Sequence, residues 1–106
     1  GPLFFAAADR VFGDIAQASN SVRGLVVSME AVPLLDAGGL SSLNKLIAYC
    51  QKHQKRIYFC DWQFQPLKTL AKANVQPIEG VSASFPNLRA ALDAVTPHPI
   101  HRASEF

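Results

Sequence analysis

The sequence is poor in the residue types that build disulfide frameworks, metal centres and catalytic dyads. It has only two cysteines and three histidines among 106 residues. Cys50 and Cys60 cannot form a disulfide framework, and we expect both to be buried free thiols. His53 follows a predicted helix, while His98 and His101 lie near the end of the chain, and none stands beside a predicted nucleophile or carboxylate. We therefore expect no cofactor, no metal site and no catalytic residue.

Long apolar runs and a strong charge imbalance are also missing. Without a run of about 18 apolar residues, the sequence predicts no membrane-spanning helix, and without a basic start it predicts no signal peptide. Ten basic residues against eight acidic ones give a net charge of +2, which is too small to indicate a nucleic-acid-binding protein. The 49% of hydrophobic residues suffices for one domain with a modest core.

Short apolar runs alternate with helical periodicities along the chain. The runs predict three buried strands and a short edge strand, at residues 3–5, 25–29, 57–60 and 75–78. The periodicities predict helices over 6–15 and 40–52, and two more that begin at residues 66 and 84. Strands that alternate with helices imply right-handed crossovers. We therefore predict an α/β fold with a small, mostly parallel sheet of about four strands and about four packing helices.

The helix that begins near residue 40 has the clearest pattern. We expect Asp36 to cap its start, because a carboxylate there can accept hydrogen bonds from exposed backbone N–H groups. Its predicted buried stripe consists of Leu40, Leu43, Leu46, Ile47 and Cys50.

The other helices have shorter apolar stripes. Asn74 is a residue type that can end a helix in the left-handed conformation, so we expect the third helix to stop there. The inward-facing residues are expected to be Ala8, Val11, Phe12 and Ile15 in the first helix, Leu67, Leu70 and Ala71 in the third, and Phe85, Leu88, Ala91, Leu92 and Val95 in the last.

Asp36 and Asp61 both follow a predicted strand, and in a parallel sheet the loops after the strands share one edge, where ligands usually bind. Each carboxylate could instead cap or turn the chain. For Asp61 we favour a turn, and for Asp36 both alternatives stay open. The pair Gly38-Gly39 leaves backbone N–H groups at a helix start open to an anion or a nucleotide. It does not match a phosphate-binding loop, and the alternative is a tight turn that needs small residues.

Basic residues are concentrated in and between the second and third predicted helices, where Asp61 is the only acid. They are Lys45, Lys52, Lys55, Arg56, Lys68 and Lys72. Such a face can dock an acidic protein, an anionic lipid surface or a nucleic acid, and it can also be an ordinary solvated face. We expect no nucleic acid, because most phenylalanines fall at predicted core positions and not between the basic residues.

Residues 32–40, VPLLDAGGL, resemble the signature loop of STAS domains, which occur in sulfate transporters and in anti-sigma-factor antagonists. The opening residues 1–8, GPLFFAAA, and the segments 64–67 and 85–88 are similar to segments of the STAS domain in bacterial SulP anion transporters. The resemblance covers residues 1–95, so we expect a STAS domain at 1–96 and a disordered tail at 97–106. Since another strand usually precedes the first one in this family, the resemblance also implies an earlier strand outside this chain.

The resemblance implies a non-catalytic domain at the cytoplasmic face of the bacterial inner membrane, within a secondary transporter of sulfate, bicarbonate or dicarboxylates. The implied partners are the transmembrane domain of the same polypeptide and an acidic cytoplasmic regulatory protein. The interaction loop would be Asp36, Ala37, Gly38, Gly39 and Leu40. The candidate partner-binding face consists of Ser41, Lys45, Lys52, Lys68 and Lys72.

The loop departs from the family pattern at the position that carries regulation in the antagonists. Their loop usually reads Asp-Ser-Ser/Thr-Gly-Leu, and a partner kinase phosphorylates the second hydroxyl residue. Here Ala37 and Gly38 stand at the two hydroxyl positions, so that switch cannot operate. The departure favours the transporter branch. A stand-alone antagonist-like STAS protein and a small anion- or nucleotide-binding module are the alternatives.

Overall fold

The computed structural model describes residues 3–9 and 12–95. Within them, four parallel strands form one sheet in the order β1-β2-β3-β4. The strands are β1 (Leu3–Ala7), β2 (Gly24–Ser28), β3 (Arg56–Cys60) and β4 (Ser82–Phe85), and the helices are α1 (Gly13–Ala18), α2 (Ala37–Lys52), α3 (Phe64–Lys72) and α4 (Leu88–Val95). The predicted α/β fold, its parallel sheet and its alternation of strands and helices are confirmed.

The main core lies on the side of the sheet that α1 and α2 cover. Alternate residues of the central strands point into it, including Leu25 and Val27 of β2 and Ile57 and Phe59 of β3. The predicted stripe of α2 packs against them, with Leu40 half-buried and its other members buried. A central parallel strand is covered on both faces, which explains why β2 reads as a continuous apolar run.

The opposite side of the sheet has a smaller core beneath α4. Val26, Cys60 and Ala91 are fully buried there, and Tyr58 and Phe85 pack beside them. The two sides are therefore unequal, and most of the apolar burial depends on the contact of α1 and α2 with the sheet.

The first predicted helix, 6–15, is mostly wrong, because it overlaps the observed α1 only at residues 13–15. Ala6 and Ala7 belong to β1, and the N–H of Ala8 continues the pairing by donating to the carbonyl of Ser28 at 2.8 Å. Alanine favours a helix locally, but pairing with β2 decides the conformation here. The buried positions Ala8, Phe12 and Ile15 are as predicted, and Val11 lies outside the described residues.

The predicted edge strand at 75–78 is also wrong, because β4 lies further along the chain. The residues of β4, Ser82–Phe85, pair with Ile57–Cys60 of β3. Its first three residues are small, two of them are serines, and none of the four is fully buried, so the strand shows no apolar run. Since Phe85 belongs to the strand, the last helix begins only at Leu88, where the Asn87 side-chain oxygen accepts from the N–H of Ala90 at 2.8 Å.

The third helix begins two residues earlier than predicted. Phe64 is its first residue, and Pro66 is buried. A proline fits in the first turn of a helix because the N–H groups there have no partner within the helix. Of the predicted inner face, Leu70 is half-buried, whereas Leu67 and Ala71 are exposed.

The inner face of the last helix is as predicted except at Leu88. Ala91 is buried, Leu92 and Val95 are half-buried, and Leu88 is 44% exposed. Asn74 adopts the predicted left-handed conformation after α3, with φ of 57°. The predicted tail at 97–106, with His98 and His101, lies outside the described residues.

Candidate functional site

The predicted interaction loop lies where β2 has ended and α2 begins. Asp36 is the cap of α2: its Oδ1 accepts from the N–H of Gly39 at 2.8 Å, and its backbone carbonyl accepts from the N–H of Leu40 at 2.8 Å. The capping interpretation of Asp36 is therefore confirmed. Its carboxylate therefore accepts a hydrogen bond from one of the N–H groups that would otherwise be available to an anion. Binding of an anion or a nucleotide at Gly38 stays a prediction.

The two glycines of the loop differ in the space around them. Gly39 is buried, and a Cβ there would lie 2.9 Å from Leu35 Cδ1 and 3.3 Å from Asp36 Oδ1. Gly38 is exposed, and a Cβ there would meet only Asp36 Oδ1, at an ordinary 3.6 Å. Close packing therefore demands glycine at position 39 but not at position 38.

We expect this difference to appear in a matched pair of variants. Gly39→Ala should lower the free energy of unfolding by about 1–2 kcal/mol, because the new methyl group overpacks the buried Leu35 side chain. Gly38→Ala should leave it unchanged or raise it by up to about 1 kcal/mol, because alanine favours a helix. Urea denaturation measures both, and equal effects of the two variants would contradict the packing difference.

Helix α3 fastens the segment that leads into Asp36. The N–H of Leu35 donates to Gln65 Oε1 at 2.6 Å, and the carbonyl of Leu35 accepts from Gln65 Nε2 at 3.4 Å and from Thr69 Oγ1 at 3.2 Å. Gln63 Nε2 also donates to the carbonyl of Glu30. The start of α2 and the first turns of α3 thus form one connected unit. Sequence reasoning gave Gln65 no role, because the contact joins residues 30 positions apart.

Asp61 turns the chain after β3, as expected. Its φ is 62°, and its Oδ2 accepts from Ser28 Oγ at 3.2 Å. Ser28 Oγ in turn accepts from the N–H of Glu30 at 3.3 Å. Asp36 and Asp61 thus serve the chain itself: one caps a helix, and the other ties the end of β3 to that of β2.

The residues of the predicted partner-binding face fall on two neighbouring helices. Ser41, Lys45 and Lys52 are exposed on the outer side of α2, here called the α2 ridge, and Lys68 and Lys72 are exposed on α3. The helices lie side by side on one face of the sheet, since Leu43 and Ile47 of α2 line the same small cavity as Leu70 of α3. Neither helix contains an aspartate or a glutamate.

Lys55 is the exception in the predicted basic cluster, because it is buried. Only 6% of it is exposed, and its Nζ donates to the carbonyls of Ser19 and Asn20, both at 3.0 Å, and to that of Val22. These carbonyls follow α1, where a helix leaves acceptors without partners. Lys55 therefore ties the end of α1 to the start of β3 and is not part of a docking face.

Both cysteines are buried free thiols, as expected. Burial raises the pKa of Cys50 from its ordinary value of 9.0 to about 11, and the nearby Lys55 ammonium offsets this in part. The pKa of Cys60 is also raised to about 11, first by burial and then by a hydrogen bond and charge repulsion from Asp61. Both side chains are thiols and not thiolates near neutral pH, which makes them poor nucleophiles.

Metal-binding and membrane-spanning features are not found in the described residues, 3–9 and 12–95. No three side chains of histidine, cysteine, aspartate or glutamate come together there in a way that could hold a metal ion. No helix among them has both the length and the apolar character needed to cross a bilayer. His53 packs its ring against Tyr49, with the centroids 4.4 Å apart.

Comparison with known proteins identifies a family. The sequence model of the STAS domain family matches residues 1–91 of the chain. This range contains the whole sheet, the first three helices and the beginning of α4. A search of curated proteins gives no match.

Proposed function

The chain belongs to the STAS domain family, and on that premise we propose that it is the regulatory and interaction domain of a SulP-type anion transporter. STAS domains are generally non-catalytic regulatory or interaction modules. The proposal places the domain at the cytoplasmic face of the bacterial inner membrane, next to the transmembrane domain of the same polypeptide. Sulfate, bicarbonate and dicarboxylates are the substrate classes that the resemblance implies for the whole transporter.

Gly38 is the observation that carries the proposal. It stands at the position whose hydroxyl is phosphorylated in the antagonists that the loop resembles. The position is exposed and has room for a side chain, so packing does not exclude a serine or threonine there. A loop that omits the hydroxyl without a steric reason supports a role other than a phosphorylation switch.

We assign partner docking to the loop at Asp36–Leu40 together with the α2 ridge. The ridge is exposed, continues directly from the loop and carries Lys45 and Lys52 without a neighbouring carboxylate in α2. A surface with positive charge of this kind favours an acidic cytoplasmic protein, because complementary charges speed and orient association.

The proposal is tested by charge reversal on the α2 ridge within the full-length protein. We expect Lys45→Glu combined with Lys52→Glu to change the uptake of a radiolabelled anion several-fold, since regulation through this surface would be lost. Arg89→Glu is the matched control, because Arg89 is exposed on α4 at the other face of the sheet. If the uptake of sulfate, bicarbonate and dicarboxylates were all unchanged at equal protein amounts, the α2 ridge would not regulate transport.

A stand-alone STAS protein is the second candidate. It would bind a kinase-like anti-sigma factor through the same loop, but without control by phosphorylation at Gly38. The family match applies to this candidate as well, since it identifies the domain and not its surroundings.

A further inference from the structure

Helix α3 carries apolar side chains on the side that faces away from the sheet. Phe64, Leu67 and Ala71 recur at spacings of three and four residues, which places them on one stripe. Phe64 is 79% exposed and Leu67 is 47% exposed, while Pro66 on the inner side is buried and Leu70 is half-buried. The outer stripe thus contributes little to the core of the domain.

Leu34 is a third exposed apolar side chain, on the segment that is hydrogen-bonded to α3. It is 71% exposed and precedes Leu35, whose N–H and carbonyl are both held by Gln65 of α3. This contact brings the Leu34 segment to the first turn of α3. We call Leu34, Phe64 and Leu67 the apolar wedge.

Positive charge flanks the wedge on α3. Lys68 Nζ lies 5.9 Å from the centroid of the Phe64 ring. Lys72 follows one turn later, and neither lysine forms an ion pair with another described residue. The helix has no carboxylate of its own, so the charge that α3 itself carries is positive.

The acids of the adjoining segments lie near the start of α3, whereas its lysines lie towards its end. The carbonyl of Glu30 accepts from the residue just before α3, so this exposed glutamate lies by the first turn. Asp36 and Asp61 add carboxylates at the same end, and each accepts a hydrogen bond. The positive part of the surface is therefore the later half of α3, which carries Lys68 and Lys72.

We propose that the apolar wedge, with Lys68 and Lys72, is a peripheral attachment site for an anionic lipid bilayer. An aromatic ring and two leucines suit the boundary between headgroups and acyl chains, where the flanking ammonium groups reach lipid phosphates. Each lysine close to an anionic bilayer adds to the binding, and the effect weakens as salt screens it. This inference does not depend on the proposed function, because the contact needs only the domain and a membrane.

The shape of the surface favours a bilayer over an acidic protein. A side chain that is 79% exposed protrudes, and Leu34 protrudes almost as far. A partner protein would need a pocket matched to each of these side chains, whereas a bilayer accepts them in any arrangement. The hydrogen bonds between Leu35 and the side chains of Gln65 and Thr69 hold the Leu34 segment against α3.

Vesicle binding by the purified domain tests the proposal. Vesicles of pure phosphatidylcholine are compared with vesicles of equal parts phosphatidylcholine and phosphatidylglycerol by co-sedimentation at low salt. We expect at least about tenfold stronger partitioning to the anionic vesicles, since each of the two lysines near an anionic surface strengthens binding several-fold. Phe64→Ala should weaken it about tenfold, and Lys68→Glu with Lys72→Glu should reduce it to the level on pure phosphatidylcholine.

Two controls separate insertion from general adsorption. Phe5→Ala removes another exposed aromatic ring, on β1 (52% exposed), and Arg89→Glu reverses an exposed charge on α4, at the other face of the sheet. Both should keep most of the wild-type partitioning. Circular dichroism confirms that each variant is folded.

Three results would overturn the proposal. Wild-type domain that does not partition to anionic vesicles is one of them. Partitioning that is equal in Phe64→Ala and wild type is another, because the lysines would then act alone. A domain that ignores vesicles but binds polyglutamate through Lys68 would show that an acidic protein is the partner of this surface.

Discussion

Lys55→Met is expected to lower the free energy of unfolding by about 3 kcal/mol. The substitution leaves the carbonyls of Ser19, Asn20 and Val22 without the ammonium group that they share. A hydrogen bond from a charged donor contributes roughly 1.5–3 kcal/mol. The sum over the three bonds is reduced because the Ser19 carbonyl keeps the N–H of Val22 at 3.2 Å, because the other two carbonyls are only partly buried, and because methionine costs less to bury than lysine. A domain of this size has a total stability of only about 5–15 kcal/mol.

The matched control is Lys52→Met, on the last turn of α2. Lys52 is exposed, so its replacement should change the free energy of unfolding by no more than about 0.5 kcal/mol. Thermal unfolding should show the same contrast, with a Tm about 10–20 °C lower for Lys55→Met alone. If the two variants had equal stability, Lys55 would not tie α1 to the sheet.

Gln65→Ala is expected to have the second-largest effect, about 2 kcal/mol of unfolding free energy. The N–H of Leu35 would lose its partner, and its carbonyl would keep only the bond from Thr69. The start of α2 would then be less firmly held. Hydrogen exchange at the amides of Leu35 and Gly39 should become faster along with the fall in stability.

Gln63→Ala is the control for this variant. Gln63 also donates to the 30–36 segment, but its acceptor, the carbonyl of Glu30, lies at the surface, where water can replace it. Its loss should therefore cost less than about 1 kcal/mol. An equal cost for the two glutamines, with slow exchange at Leu35 in both, would show that Gln65 does not hold the loop.

The parts of the fold that the sequence predicted well depend on local patterns. Leu25–Val27 and Ile57–Cys60 are apolar and rich in β-branched or aromatic residues, as central strands require. The helix after Asp36 combines a cap with an apolar stripe of helical period. In each case the local conformational preference and the tertiary contacts favour the same helix or strand, so the local sequence pattern predicts it correctly.

The wrong predictions lie where local preference and tertiary contact disagree. Ala6 and Ala7 favour a helix by themselves, but they pair with β2. The edge strand β4, Ser82–Phe85, has two serines and one alanine before its single large apolar residue, and it is recognisable only by its pairing with β3. For such segments the deciding interaction is with a strand far away in sequence, and no short window contains it.

The sequence predicts some features of the candidate site and not others, for the same physical reason. The capping role of Asp36 and the exposure of Lys45 follow from residue type and position alone. The burial of Lys55 and the contact of Gln65 with Leu35 do not, because both depend on backbone carbonyls and N–H groups that lie 30 or more positions away. Lysine is rarely buried, so assigning Lys55 to a surface was the natural prediction from the sequence.

Fractionation of the source cells, probed with an antibody against this domain, tests the proposed function most directly. A SulP-type transporter predicts a band several times heavier than this chain, in the membrane fraction, which resists extraction with high salt. A band of the chain's own size in the soluble fraction would contradict the proposal. The domain would then be a stand-alone STAS protein, and its partner would be a kinase-like anti-sigma factor.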